Sequence, residues 1–369
     1  MRIKDITISE SAAGATVAAN AVWDKPSLPP ERVYFTYRDT PASALAAPSD
    51  AFAASMLVPC MAVGEDVVVD EPVSTRLQNG ARIVVDIFLS WRRGGPYRTR
   101  LIAPAADRSA LAPTEVAACF SGGADSFFTI LRRPDVTTLM TLVGYDMRHE
   151  QRPVFESFLP RLASAAERLG RRMIVVDTNV YEVGRRFLGN GSHHGAVLAG
   201  AALGLSGTLR RLYIPGSWSY RMMRPQGSHP FIDPLWSTES LEVVHDGPEY
   251  CKIERVLAIA ESDVALDTLR VCFRRPELYN CCRCEKCVLV ALTLHHAGTL
   301  NRCKTLSLPP LPRLRRMLIS PDWMPRFAMI RDLLDDGDVK RAVSRAMTVS
   351  RLLAPARPVS KVLRRAGLR

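Results

Sequence analysis

An α/β fold built on a parallel sheet is predicted for most of this 369-residue chain, and three observations predict it. From Glu115 onward, short apolar runs alternate with helical patterns, as in repeated βα units whose sheet carries helices on both faces. The first of those runs ends in a Ser/Gly turn that opens a helix. Further along, four cysteines fall within seven residues, which is metal-knuckle spacing rather than the spacing of ordinary core cysteines.

Taken in order, residues 1–112 read as a separate, mostly β domain. Arg2–Ile8, Arg32–Tyr37 and Ala81–Leu89 alternate like strands, and Asn79-Gly80 and Gly94-Gly95-Pro96 mark turns. Residues 113–300 read as the α/β domain. Strands are expected at Val116–Phe120, Thr138–Gly144, Met173–Val176 and Leu212–Pro215. Helices are expected at Asp125–Arg132, Pro153–Leu169 and, rich in small residues, Gly195–Leu205. Residues 301–369 read as a basic helical region. Val339, Ala342, Val343, Ala346, Met347 and Leu353 recur at helical spacing, with Lys340, Arg341 and Arg345 between them.

Composition narrows the class. Hydrophobic residues make up 47% and charged residues 23%, which excludes disordered, collagen-like and low-complexity chains. No apolar run reaches the roughly 18 residues of a membrane span, and Met1-Arg2-Ile3-Lys4-Asp5 lacks the apolar core of a signal peptide. A cytoplasmic protein without a transmembrane segment is expected. The net charge of +12 sits almost wholly in Arg302–Arg369, where 16 Lys/Arg face 5 Asp/Glu. That tail suits tRNA or another acidic partner, or it is a solvated face packed on the body.

The turn Phe120-Ser121-Gly122-Gly123-Ala124-Asp125-Ser126 is the strongest chemical signal. Gly122 and Gly123 let backbone N–H groups turn toward an anion at a helix N-terminus. Ser121 and Ser126 can donate hydroxyl hydrogen bonds to phosphate oxygens, and Asp125 is the carboxylate placed to hold Mg²⁺ or order a nucleotide. Asp125 and Ser126 are the candidate catalytic residues. The turn is neither the dinucleotide GxGxxG pattern nor GxxxxGK[ST], because no Lys follows the glycines.

Of nine cysteines, Cys272, Cys281, Cys284 and Cys287 follow C-x8-C-x2-C-x2-C, which suits tetrahedral Zn²⁺ coordination; an iron–sulfur cluster is the rival. Cys282 is adjacent and competes with Cys281 for a place in the ligand set. Cys119, in an apolar strand, reads as a buried thiol. His193 and His194 follow Ser192, a plausible N-cap, at the start of the small-residue helix, and either could contact a phosphate there. The loop after Leu212–Pro215 carries Trp218, Arg221, Arg224, Ser228, His229 and Asp233. It lies at the carboxyl edge where open α/β sheets bind ligands. Arg221, Arg224 and Asp233, with His193 and His194, are candidate contacts for a small carboxylate-type substrate.

The SGGxDS turn resembles that of the PP-loop ATP pyrophosphatases, whose fold belongs to the HUP class. The cysteine spacing after it is similar to that of the 7-cyano-7-deazaguanine synthase family. Gly144-Tyr145-Asp146-Met147-Arg148-His149-Glu150 and Lys252-Ile253-Glu254 also resemble segments of that family. The resemblance spans about Val116 to Leu294. It implies ATP, Mg²⁺ and Zn²⁺ as cofactors. It implies nucleotide contacts from Ser121, Gly122, Gly123, Asp125, Ser126 and Tyr145. It also implies an adenylating, C–N bond-forming ligase that releases AMP and pyrophosphate, acting on a different substrate from that family's. A tRNA-modifying PP-loop enzyme (thiolase or ligase) and a non-catalytic ATP-binding scaffold are the alternatives.

Overall fold

The structure, a computed structural model, describes residues 1–91, 97–145, 151–188, 191–272, 274–275 and 277–353. Asp146–Glu150, the Gly94-Gly95-Pro96 turn and the end of the basic tail lie outside the described residues.

The strands are β1 (Arg2–Ser11), β2 (Gly14–Val22), β3 (Glu31–Arg38), β4 (Val67–Val69), β5 (Val73–Ser74), β6 (Leu101–Ile102), β7 (Ala105–Ala106), β8 (Glu115–Cys119), β9 (Thr138–Val143), β10 (Arg172–Thr178), β11 (Leu209–Pro215) and β12 (Glu242–Asp246). Ten of them form one sheet in the order β12-β11-β8-β9-β10-β3-β2-β1-β4-β6, and β5 pairs β7 apart from it. The β12 to β10 run is parallel throughout, whereas β10–β3, β3–β2 and β2–β1 are antiparallel. Numbered by appearance in the chain, the parallel run reads 5-4-1-2-3. Its strand order therefore reverses between β8 and β11, the topological switch point at which such sheets bind ligands.

The helices of the first unit are α1 (Pro48–Val63), α2 (Thr75–Trp91), α3 (Ala124–Arg132), α4 (Arg152–Glu156), α5 (Leu159–Arg168), α6 (Val180–Arg185) and α7 (His194–Leu203). Contacts divide the chain into Met1–Ser121 with Asp125–Cys251, and Gly122–Ala124 with Lys252–Arg369. Residues 1–112 are thus no separate domain. Five of their strands extend the parallel run into one mixed sheet, joined antiparallel at β10–β3, and Arg38 of β3 is bound bidentately to Asp177 of β10 at 2.7 and 3.0 Å and to Glu156 of α4. Nor is this segment mostly β, since Ala81–Leu89, expected as a strand, lies in α2. There Leu77, Ala81, Val84, Val85 and Phe88 are buried at helical spacing and Ile83 is half exposed. Its β-branched residues favour a strand locally, but burial of one helical face outweighs that weak preference.

Helix α1 is buried nearly all round, as a central helix must be. It packs on α7 through small residues, and a Cβ on Gly200 would come within 2.8 Å of the Ala51 carbonyl oxygen. The expected helix Pro153–Leu169 is two helices, α4 and α5, broken before Pro160.

The second unit carries α8 (Lys252–Ile259), α9 (Asp263–Thr268), α10 (Glu285–His296), α11 (Leu311–Arg315), α12 (Met324–Leu333) and α13 (Asp338–Leu352). In α13, Ala342, Val343, Ala346 and Met347 are buried, so the apolar stripe of the basic region serves packing.

Candidate functional site

Strand β8 leads into the glycine turn at the switch point. The Phe120 N–H donates to the Met140 carbonyl of β9 at 2.8 Å, and Thr141 Oγ1 donates to the Phe120 carbonyl at 2.7 Å. These bonds fix where the strand stops. Gly122 then takes φ +69°, a left-handed conformation that costs glycine little, and its carbonyl accepts the Arg270 N–H at 2.8 Å. Helix α3 begins at Ala124. It places Asp125 half-buried in its first turn and the Ser126 hydroxyl in the interior, 3.5 Å from the Ser121 nitrogen. Ser121, Gly122, Gly123, Asp125 and Ser126 are therefore gathered in one strand–turn–helix junction.

The far end of α3 is tied to the same sheet edge. The buried Asp246 carboxylate, at the end of β12, accepts from Thr129 Oγ1 at 2.7 Å and from Arg132 and Arg133 at 2.8 Å. Tyr145 follows Gly144 at the end of β9, where φ is +84° and a Cβ would lie 2.1 Å from the Thr178 carbonyl oxygen. Its ring leans on Tyr181 with centroids 5.0 Å apart, and Tyr181 in turn stacks on His193 at 4.7 Å.

Of the expected substrate contacts, His193, His194 and Asp233 come together at the start of α7, whereas Arg221 and Arg224 are exposed in the loop after β11. His193, not Ser192, holds the N-cap position of α7 and makes no side-chain capping bond. Its ring is 1% exposed, and among the described residues neither nitrogen has a partner at good hydrogen-bond geometry. Burial, with His194 beside it, pushes its pKa down to about 4. A neutral, stacked imidazole of this kind supplies no positive charge to a phosphate. His194 Nδ1 is 2.8 Å from the Gly191 carbonyl oxygen.

Asp233 is fully buried and already engaged. Ser228 Oγ donates to it at 2.7 Å, His245 Nδ1 lies 2.7 Å away, and its Oδ1 would crowd a Cβ on Gly195 at 2.5 Å. The anion at the N-terminus of α7 is thus the protein's own carboxylate, where the helix dipole favours it. Arg221 is exposed in a short 3-10 turn, and the Arg224 guanidinium stacks over the Trp218 ring at 3.9 Å. His245, which sequence reasoning missed, sits in β12 with a carboxylate on one ring nitrogen. A single His in a strand gives no warning of such a pair. Cys119 is buried and its thiol pKa is raised, chiefly by desolvation and further by Asp233, as in an inert cysteine.

The cysteine cluster is assembled. The Sγ atoms of Cys272, Cys281, Cys284 and Cys287 all lie within 4.8 Å of one another and all four residues are buried. The Cys272–Cys284 and Cys281–Cys287 separations are each 3.9 Å and the Cys284–Cys287 separation is 3.4 Å. Tetrahedral coordination with Zn–S bonds of about 2.3 Å puts sulfurs about 3.8 Å apart, so the donor set fits a metal such as zinc. Hydrogen bonding with Cys287 holds the Cys284 thiol below its ordinary value, while burial raises the Cys281 thiol.

Cys282 is not part of the set. It holds φ +51° at the knuckle, and its Sγ faces the Asn280 carbonyl oxygen at 3.9 Å. Asn280, also missed from sequence, braces the cluster. Its Oδ1 accepts the Val271 and Cys272 N–H groups at 2.9 and 3.2 Å, and its Nδ2 donates to the carbonyls of Leu269 and Thr305. An Asn between a Tyr and a Cys carries no pattern by which to find it.

Compared as a whole, the chain matches no protein-family profile, no curated protein and no solved structure. No described helix is long and apolar enough to cross a membrane.

Proposed function

We propose that the chain is a PP-loop, HUP-fold enzyme that adenylates a carboxylate or amide-type oxygen with ATP, releases pyrophosphate and passes the activated carbon to a nitrogen nucleophile. The observation that carries this reading is the Ser121–Ser126 turn at the switch point between β8 and β11, with α3 opening directly from it. A backbone turn at a helix N-terminus suits an anion of pyrophosphate size. No Lys follows the glycines to track a transferred γ-phosphate. Ser121, Gly122 and Gly123 bind the leaving pyrophosphate, Ser126 donates from within the first turn, and Tyr145 borders the nucleotide. Asp125 holds Mg²⁺, which neutralises charge on the phosphates when bound. Positioning and charge neutralisation supply most of the rate. The exposed Arg221, at the neighbouring strand edge, is the cation available to a carboxylate substrate; Asp233 and His193, buried, serve the scaffold. Zn²⁺ on the four cysteines has a structural role, since all four tetrahedral positions are filled by protein sulfur. A cytoplasmic location, where thiols stay reduced, goes with this reading.

Screening ATP–pyrophosphate exchange against pools of carboxylates, with nucleotide products resolved by chromatography, tests the reading. AMP and pyrophosphate are expected. Gly123→Val, which blocks backbone approach to phosphate, and Asp125→Ala should each lower exchange by about a thousandfold or more at unchanged metal content. ADP as the main product, or full activity in Asp125→Ala, would sink it.

A further inference from the structure

The second unit carries a feature that the adenylation reading does not use. Beside the metal knuckle lies a cavity of about 720 Å³ whose walls include Arg274, Arg283, Arg313, Arg316, Met317 and Leu318, with three prolines and Cys284 completing them. Its size falls within the roughly 300–1,000 Å³ of small-ligand sites. One acidic side chain, Glu285, reaches it, and that carboxylate is occupied. Its Oε2 accepts from Arg274 at 2.8 Å and its Oε1 takes the Ser320 N–H. Among the described residues, Arg283, Arg313 and Arg316 make no side-chain hydrogen bond or ion pair. Their neighbours explain only part of this charge. Four thiolates around a divalent ion carry −2 and Glu285 carries −1, so the four guanidiniums still leave the cavity positive.

Like charges gathered on one partly apolar wall repel, and an oxyanion relieves that repulsion. Guanidinium forks match phosphate oxygens bidentately, and more than one fork exceeds what a single carboxylate can use. Met317, Leu318 and the prolines give the sugar or base of a phosphorylated ligand an apolar surface. We propose that this cavity binds a phosphate group, carried either by a free phosphorylated compound or by a single-stranded RNA backbone.

Two probes separate the sources. Inorganic pyrophosphate is titrated calorimetrically into full-length Gly123→Val protein, in which the glycine turn is blocked. A fluorescein-labelled oligouridylate is followed by anisotropy over a range of salt. Arg313→Glu/Arg316→Glu should weaken binding of at least one probe by about tenfold or more. For RNA it should also flatten the log–log salt slope, by about 0.7 for each phosphate that the variant no longer neutralises. Arg345→Glu, an exposed reversal on α13 outside the cavity, is the control and should change little. Metal content reports that each variant is folded, and Arg283→Gln offers a milder change if the double reversal fails that check. Binding of RNA but not pyrophosphate assigns the site to a strand, and binding of pyrophosphate assigns it to a free phosphate. Absence of binding by both probes, undiminished binding in the cavity variants, or an equal loss in Arg345→Glu would overturn the proposal. The pyrophosphate titrations are made with the glycine turn blocked and read binding rather than nucleotide exchange, so the adenylation reading stands or falls separately.

Discussion

The cysteine knuckle and the sheet edge around β8 both begin from a short motif, yet they hold their residues differently. In the knuckle, three of the four sulfurs come from one seven-residue segment, and Cys272 is brought in by the Asn280 side chain, nine and eight residues from its backbone partners. The sheet edge draws on segments far apart in sequence: Ser121 after β8, Tyr145 after β9, His193 at α7, Asp233 at the start of a short 3-10 helix and His245 in β12. Spacing along the chain therefore predicts the first arrangement well. For the second it predicts only the turn, because which distant side chains meet there depends on strand order and on what each has already bound.

The sharpest way to break this comparison is Cys284→Ser. Structural zinc binding in small domains is worth about 10–16 kcal/mol at neutral pH and is folding energy. The variant should lose close to all bound metal and much of the helical signal of α10. About one zinc per wild-type chain is expected by elemental analysis. Stoichiometric iron, or metal retained in the variant, would break the assignment.

His193 gives the next effect. Its folded pKa of about 4 lies below its ordinary 6.5. The unfolded chain therefore takes up a proton between those values that the native state refuses, and stability falls as pH drops through that window. The stabilisation is complete above about pH 6.5, and a tenfold difference in proton affinity between the two states corresponds to about 1.4 kcal/mol. The unfolding free energy of wild type from urea titrations should decline toward pH 4 by up to about 3 kcal/mol more than that of His193→Gln. Parallel pH profiles would show the ring is not held neutral.

Asn280→Ala sharpens the view of the knuckle. It removes the acceptor that fixes the Cys272 and Val271 N–H groups, and metal affinity measured by chelator competition should fall by about tenfold to a hundredfold. The smallest effect belongs to Cys282→Gly. Relief of the left-handed backbone at φ +51° should raise stability by about 1 kcal/mol with metal content unchanged. Loss of metal on this change would return Cys282 to the ligand set in place of Cys281.

The sequence by itself determined the alternation of β8, α3, β9, β10 and β11, the glycine turn at its head and the four-cysteine spacing. Each depends on neighbours in the chain: apolar runs, turn residues and ligands a few positions apart. Only the tertiary structure decided the rest. Ala81–Leu89 became helix because one of its faces is buried at helical spacing. Residues 1–112 joined the main sheet because β3 pairs with β10, and Arg38 there meets Asp177 and Glu156. Asp233 is engaged inside the fold because Ser228, His245 and the start of α7 meet at its carboxylate. A carboxylate's role depends on its partners, and partners more than a few residues away are set by the order in which strands lie side by side.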